Sequence, residues 1–550
     1  MKIMRKMLSL LLALLLLASL LAGCGKKEED AQPFVLRVST CGALETLDPA
    51  MSTDVGAEGL LSALFEGLMR LRDDGTGKAE AVAGIAREYI EEKNYDDTVT
   101  YTFLLRSSAR WSDGKRVKAA DFVYAWRRLA NPATASPNAE LLRMVKGYDE
   151  ARESGDMTLL GVTAKDESTL IVTLSEPCSY FIGSVCTAPA TAPLREDLVT
   201  ANENWASGTG IVTDGPYCVA EWRWGDYVLM QRNDEYYESR LVLPDQLRFS
   251  FEDDAQANYE QYLAGELDYL DELPYEVIQA MAEDESWRPA PLAEVRCVIY
   301  NNLTDTFSDA ALRSAFDLAI DRAALAGQVG VTATEATGCV PYGITNVSGS
   351  ADDFRTAGGE LCAVDAEGYA ERSAEAARKI AAAGHYQGAG LDRLEFLCPE
   401  GAENRAIVMS LRDMWKRVLG VEVDLVEVDE QTLAQRLASG EYDLALTSLM
   451  GRCDDAMEYL EPFRGTSENN VSGYRNETFD LLIGVAESTG DMTARAAFLH
   501  DAEVMLLEDN ALSPLYFCGT AYALRDGYKG VYHDCFGHSY FTAVTADEAA

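Results

Sequence analysis

The chain has 550 residues, with 90 Asp and Glu against 47 Lys and Arg and a formal net charge of -43 at pH 7. That length is too great for one hydrophobic core and calls for two or three lobes, while the acidity argues against nucleic acid or an anionic lipid surface as partner. The twelve cysteines include no C-x-x-C, and with four histidines and no H-E-x-x-H there is no zinc pattern; neither a metal nor a cofactor is expected.

Lys2, Arg5 and Lys6 precede an almost unbroken Leu and Ala run, Leu8 to Leu21, followed at once by Leu21-Ala22-Gly23-Cys24. A basic start, an apolar stretch and small residues before a cut form a signal peptide, 1–23. The run is too short for the roughly 20 apolar residues of a membrane span. The tetrapeptide resembles the bacterial lipoprotein box, which implies diacylglyceryl transfer to the Cys24 thiol and cleavage before it; residues 24–32 become a polar tether. Two acyl chains suffice for stable anchoring. The odd set of remaining cysteines has no close-pair pattern and reads as small buried apolar residues. Free thiols and a lipid anchor favour the outer face of a Gram-positive membrane, with the periplasm as the location in a Gram-negative cell.

Phe34 to Thr40 alternates as a half-buried strand, Ala43 to Pro49 turns, and Gly59 to Met69 reads as one short apolar helix. Val99 to Leu105 alternates again. In the stretch that follows, Asp113-Gly114 turns the chain, Ala120 and Asp121 open a helix, and Phe122, Val123, Trp126 and Leu129 share one face. This segment, with Phe103, Leu105-Arg106, Trp111 to Gly114, Ala120 to Phe122 and Trp126 to Arg128, resembles the extracellular solute-binding proteins of peptide-type ABC importers, the oligopeptide- and dipeptide-binding family. The resemblance continues through Asp214 to Tyr217, Asn233 to Tyr237, Tyr300 to Asn302, Phe307 to Asp309, Ala319 to Arg322, Asn469 to Asn476 and Ser513 to Tyr516.

Independently of it, Asp309 caps a helix with Leu312, Phe316, Ala319 and Ile320 on its core face. Ala374 to Gly384 is a helix closed by glycine. Residues 404 to 449 read helix, strand, helix, strand, the alternation of an α/β lobe.

The resemblance implies an α/β fold of the periplasmic-binding-protein class II type, a two-lobed hinged clamp with an additional α+β domain. It places one lobe at 33–62, 186–294 and 513–550, the additional domain at 63–185 and the other lobe at 295–512. It also implies that ligand main chain is held like an added strand after the strand ending near Leu449, with an aspartate a few residues on that pairs with a peptide ammonium. Here that segment reads Leu449-Met450-Gly451-Arg452-Cys453-Asp454-Asp455-Ala456, with Arg452 where the aspartate is expected. An arginine holds carboxylate or phosphate. The alternatives are therefore a solute with an anionic or blocked end, a peptide read through Asp454 or Asp455, or an oligosaccharide or metal complex. Ala43, Leu44, Leu449, Met450 and Gly451 are main-chain and wall candidates, Tyr516 and Phe517 aromatic walls; Trp222, Tyr300 and Asn301 are further candidates.

The expected function is capture of an oligopeptide or similar solute and its delivery to an ABC permease with its ATPase subunits, by a monomer that touches the membrane only through its lipid anchor. There is no G-x-x-x-x-G-K-[ST] loop, so the energy comes from elsewhere. A pheromone co-receptor is an alternative on the same clamp. A secreted hydrolase is the rival of another class, but no G-x-S-x-G is present, and adjacent acids such as Asp454-Asp455 are expected by chance among 90.

Overall fold

The computed structural model describes residues 33–546 apart from 41–43, 45, 53–54, 74–78, 253, 272, 275–276, 279–286, 348–349, 351, 392 and 452. The fold is that of the compact unit that begins at Leu36. After β1 (Val35–Thr40) come helix α1 (Val55–Leu64) and a hairpin of β2 (Met69–Asp73) and β3 (Ala79–Ala83). The predicted helix over 59–69 is thus a helix and a strand. The chain leaves the helix after Leu64, and Met69 N–H then donates to the Cys186 carbonyl at 3.0 Å. A Cβ on Gly67 would lie 2.5 Å from that same oxygen, so only glycine fits the approach.

A four-stranded antiparallel sheet ordered β4-β5-β7-β6 follows, from β4 (Ala86–Lys93), β5 (Val99–Leu105), β6 (Val162–Asp166) and β7 (Thr169–Leu174). Helix α2 (Ala119–Ala130) packs on β6 and β7. Its first turn is closed by Asp121, whose carboxylate accepts from Lys118 N–H at 2.9 Å and Trp111 Nε1–H at 3.2 Å. Phe122, Trp126 and Leu129 form the buried face as predicted, whereas Val123 is only half-buried. Trp111 and Asp121 are thus a structural pair.

The large sheet has eleven strands among the described residues. Ten run in the order β15-β14-β16-β12-β17-β11-β1-β10-β9-β8, and β13 pairs with β17. These are β8 (Tyr217–Arg223), β9 (Tyr227–Arg232), β10 (Gln246–Phe251), β11 (Tyr269–Leu270), β12 (Trp287–Tyr300), β13 (Ala333–Glu335), β14 (Leu394–Pro399), β15 (Val423–Val428), β16 (Leu444–Met450) and β17 (Leu512–Leu524). Long antiparallel strands β12 and β17 join the two halves. Their register breaks between Pro291 and Val295 and again between Arg296 and Cys297. Pro289 and Pro291 have no N–H to give a ladder, which suits them to such an irregularity.

Side chains alternate across this crossing. Val295, Cys297 and Ile299 enter one core with Ala445 and Phe517, while Val298 and Tyr300 enter the other with Leu446 and Trp415. The second core is covered by α3 (Ala310–Leu318), capped by Asp309 through Ala311 N–H at 2.8 Å, and α4 (Ala402–Leu419), closed by Gly420 at φ 75°. The first is covered by α5 (Met492–Glu508). Two α/β lobes joined through a pair of crossing strands, with a separate α+β unit inserted, make a hinged clamp.

Candidate ligand-binding site

Strand β16 brings the candidate segment to the site. It pairs with β12 along its whole length, from Tyr300 opposite Leu444 to Glu294 opposite Met450, but with β14 only at Leu444 and Ala445. Among the described residues, the second edge of Thr447 to Met450 therefore pairs with no strand. Gly451 follows, its N–H 3.0 Å from the Ala293 carbonyl and 3.1 Å from Tyr459 Oη. Tyr459 in turn donates to the same carbonyl at 2.6 Å. A Cβ at Gly451 would stand 2.4 Å from Tyr459 Oη.

This end of β16 forms one wall of a cavity of about 290 Å³. Met450, Gly451, Cys453 and Glu458 come from this side. Opposite them stand Asn138, Glu140, Leu141 and Arg143 from one loop, Tyr180, Ser184 and Thr187 from another, and Glu58 from the first turn of α1. Asp534, Phe536, His538 and Tyr540 close it from the C-terminal segment. That segment is seated by a contact only glycine allows: a Cβ on Gly59 would be 2.5 Å from the Ser539 carbonyl.

Asp534 organises the C-terminal wall. Its Oδ1 accepts from Phe536 N–H at 2.9 Å and His538 N–H at 3.0 Å, and its Oδ2 from His538 Nδ1 at 2.9 Å and Tyr540 Oη–H at 3.1 Å. Burial works against the charged imidazole, but the Asp534 carboxylate outweighs it and holds His538 up to about 9. Burial likewise opposes the Asp534 charge, and His538 with these donors keeps that carboxyl below its ordinary range. Glu58 differs: burial raises its pKa, His538 opposes the rise and the Asp534 carboxylate adds to it. On the other wall, burial works against the Arg143 charge, and the Tyr180 oxygen, to which Arg143 donates a hydrogen bond, and the neighbouring Glu458 carboxylate outweigh it.

Of the residues expected at the site, Met450 and Gly451 line this cavity; Leu449 lies just behind, packed on the first core. Asp454 and Asp455 do not line it. Asp454 accepts from Thr345 N–H and Oγ1–H, both at 2.6 Å, and its own N–H donates to Ser184 Oγ at 3.0 Å. Asp455 is buried, receives Ser179 Oγ–H at 2.6 Å and pairs with Arg495 at 2.9 Å. Both belong to a separate small cavity of about 40 Å³.

Tyr516 is buried in the second core with its hydroxyl 3.0 Å from Glu403, and Phe517 is buried in the first core against the Tyr342 ring. Leu44 is buried, Tyr300 bonds Ser513, Asn301 bonds the Gly440 and Tyr442 carbonyls, and Trp222 stacks on exposed Trp224; none of these lines the cavity. Cys24, Ala43 and Arg452 lie outside the described residues. Every described cysteine is a free thiol, and no group of metal-ligating side chains occurs among the described residues.

The residues not foreseen, Glu58, Arg143, Tyr180 and the 534–540 segment, come from four distant stretches. Only the D-C-F-G-H run near the C-terminus, with a glycine turn between a carboxylate and a histidine four residues on, carries a local signal. The motifs that did attract notice are internal locks. Tyr236 and Tyr237 both donate to buried Glu66, and Asn233 holds the Gly215 carbonyl at 2.9 Å.

Residues 80–471 match the family described as Bacterial extracellular solute-binding proteins, family 5 Middle. The dipeptide-binding protein DppE of Bacillus subtilis (strain 168) is 27% identical over 520 residues, 94% of this chain and 92% of that protein. The oligopeptide-binding protein OppA of the same organism is 26% identical over 98% of this chain and 99% of its own length. The unliganded open form of the periplasmic murein tripeptide binding protein MppA has the same fold, with a TM-score of 0.79 at 24% identity over 94% of this chain and 98% of that one. With a family match over most of its length and its two-lobed clamp, the chain belongs to family 5 of the bacterial extracellular solute-binding proteins.

Proposed function

We propose that this protein is the extracellular receptor of an ABC importer, anchored through a lipidated Cys24, that captures an oligopeptide between its lobes and delivers it to the permease. The observation that carries the reading is the 290 Å³ cavity beside the open edge of β16. A peptide laid there can take the place of the missing strand, giving affinity through main-chain hydrogen bonds without demanding a sequence. The relatives named as dipeptide- and oligopeptide-binding proteins support the solute class. The lobes are 33–62 with 186–294 and 513–550, and 295–512; the additional domain is 63–185, and on these boundaries all three contribute to the cavity.

Binding here is not catalysis. The Asp534 carboxylate has its lone pairs filled by four donors, which leaves it unsuited to proton transfer. Native mass spectrometry of the mature protein, with mild denaturation to release what it carries, tests the reading. A ladder of short peptides is the expected result; a single non-peptide solute would replace it with a clamp of altered specificity.

A further inference from the structure

A second cavity, of about 200 Å³, lies where β17 begins, beside the ends of α3 and α5. It is separate from the cleft. Leu512 on its wall pairs with Ile299, whereas Met450 at the cleft pairs with Glu294, five residues away along β12 and so about 17 Å distant. Leu318, Leu361, Leu507 and Leu512 give it apolar walls, and its charged lining among the described residues is Asp317, Arg322 and Arg372. Arg322 is only 2% exposed. Its Nε donates to the Pro514 carbonyl at 2.7 Å and its Nη2 to Asp317 Oδ1 at 2.5 Å, so Nη1, which donates to nothing among the described residues, is left to face the cavity. Arg372 commits both terminal nitrogens to Asp365, one to a side-chain and one to the main-chain oxygen, each at 2.8 Å, and its buried Nε has no partner. Asp365 is mostly exposed and does not line the cavity. Two cations thus face one carboxylate, and both keep unpaired N–H groups, which is unfavourable until an acceptor arrives. The negative charge of the whole chain is screened over about 8 Å at physiological salt, so this local excess of one positive charge governs what enters.

Water needs two to four polar partners, and the leucine walls offer none. A phosphate dianion exceeds the local charge. A carboxylate brings one charge and two oxygens for two arginines, and it can carry an apolar tail for the leucine walls. We propose that this cavity is an accessory binding site for a small monocarboxylate, a short apolar chain ending in one carboxylate, held by Arg322 Nη1 and Arg372 Nε. The site is independent of what the cleft binds. Because Leu512 and Pro514 open β17, an occupied site braces the end of one of the two strands that cross between the lobes.

Isothermal titration of the mature protein with butyrate, with butyramide as its uncharged counterpart and with inorganic phosphate, tests this beside two variants. Arg372→Met removes the donors of one arginine; Ala363→Phe, at an exposed position on the rim, plugs the cavity and keeps both arginines. The expected result is that butyrate binds the wild type at least about tenfold more tightly than butyramide or phosphate, or about 1.4 kcal/mol, and that each variant loses at least as much. Butyrate is also expected to raise the Tm of the wild type and of neither variant. Equal binding of butyrate and butyramide would make the cavity merely apolar and overturn the inference; tighter binding of phosphate would overturn the carboxylate assignment. Butyrate binding that is unchanged in both variants belongs elsewhere on the protein and overturns the site, as does the absence of any butyrate binding to the wild type. If Arg372→Met melts clearly lower than the wild type, Ala363→Phe decides alone. Peptide capture in the cleft is expected to be the same in all three proteins, so its failure bears on the receptor reading and not on this site.

Discussion

Two histidines five residues apart in the C-terminal segment, His533 and His538, set opposite pH slopes. His538 is held up to about 9 by Asp534, against its ordinary 6.5. Its contribution is therefore complete below pH 6.5 and lost as pH rises through 9, about 3 kcal/mol at the limit. His533 is pushed down to about 4 because burial disfavours its charged form, only partly offset by Asp534. The folded protein refuses that proton, so stability falls as pH drops from 6.5 toward 4. Urea melts across pH 4 to 9.5 are expected to show a maximum near pH 6.5, and His538→Gln to flatten the basic limb alone. At the same scale, Met450 is half exposed at the cavity while Tyr516 is buried in the second core. Met450→Ala is expected to weaken ligand binding with Tm nearly unchanged; Tyr516→Ala is expected to cost about 3–5 kcal/mol of stability. Titration calorimetry beside a thermal melt separates the two. Their roles were not legible in sequence, because an aromatic in a strand after a Ser-Pro reads the same whether it faces a core or a pocket.

At the scale of elements, the segment after β16 is a tightly tied corner. Its loop binds Ser179 and Ser184 on one side and Thr345 and Arg495 on the other, so it links stretches of chain far apart in sequence. Asp455→Ala leaves Arg495 without its buried partner and is expected to cost about 3–5 kcal/mol, read in a denaturant melt. Gly451→Ala drives a methyl into Tyr459 Oη and is expected to cost about 1–3 kcal/mol and to weaken ligand binding together with stability. The family resemblance, and no local spacing, directed attention to the stretch from Leu449 to Asp455. Which carboxylate points where was decided by donors at 179, 184, 345 and 495, which no local pattern announces. The 59–69 stretch shows the same limit: its composition is helical throughout, but Gly67 and Met69 are drawn onto the Cys186 carbonyl and the helix gives way to a strand.

For the whole molecule, the crossing of β12 and β17 is the natural hinge, since both strands run through both halves of the sheet and their register is broken at Pro291 and Arg296. Ligand binding between the lobes is expected to reduce the radius of gyration in X-ray scattering; an unchanged radius in saturating ligand would overturn the hinge. The sequence by itself determined the α/β alternation, the capped helices at Asp309 and Gly420, and the hydrophobic periodicity of each strand, because these depend on residues within a few positions of each other. It also determined the signal and lipobox pattern, which lies outside the described residues. Only the tertiary structure decided that Glu58 shares a cavity with Arg143, Met450 and His538, that Asp454 and Asp455 are structural ties, and that Tyr516 and Phe517 serve the cores. A binding site assembled where distant segments meet is specified by long-range packing, and that packing leaves no periodic trace along the chain.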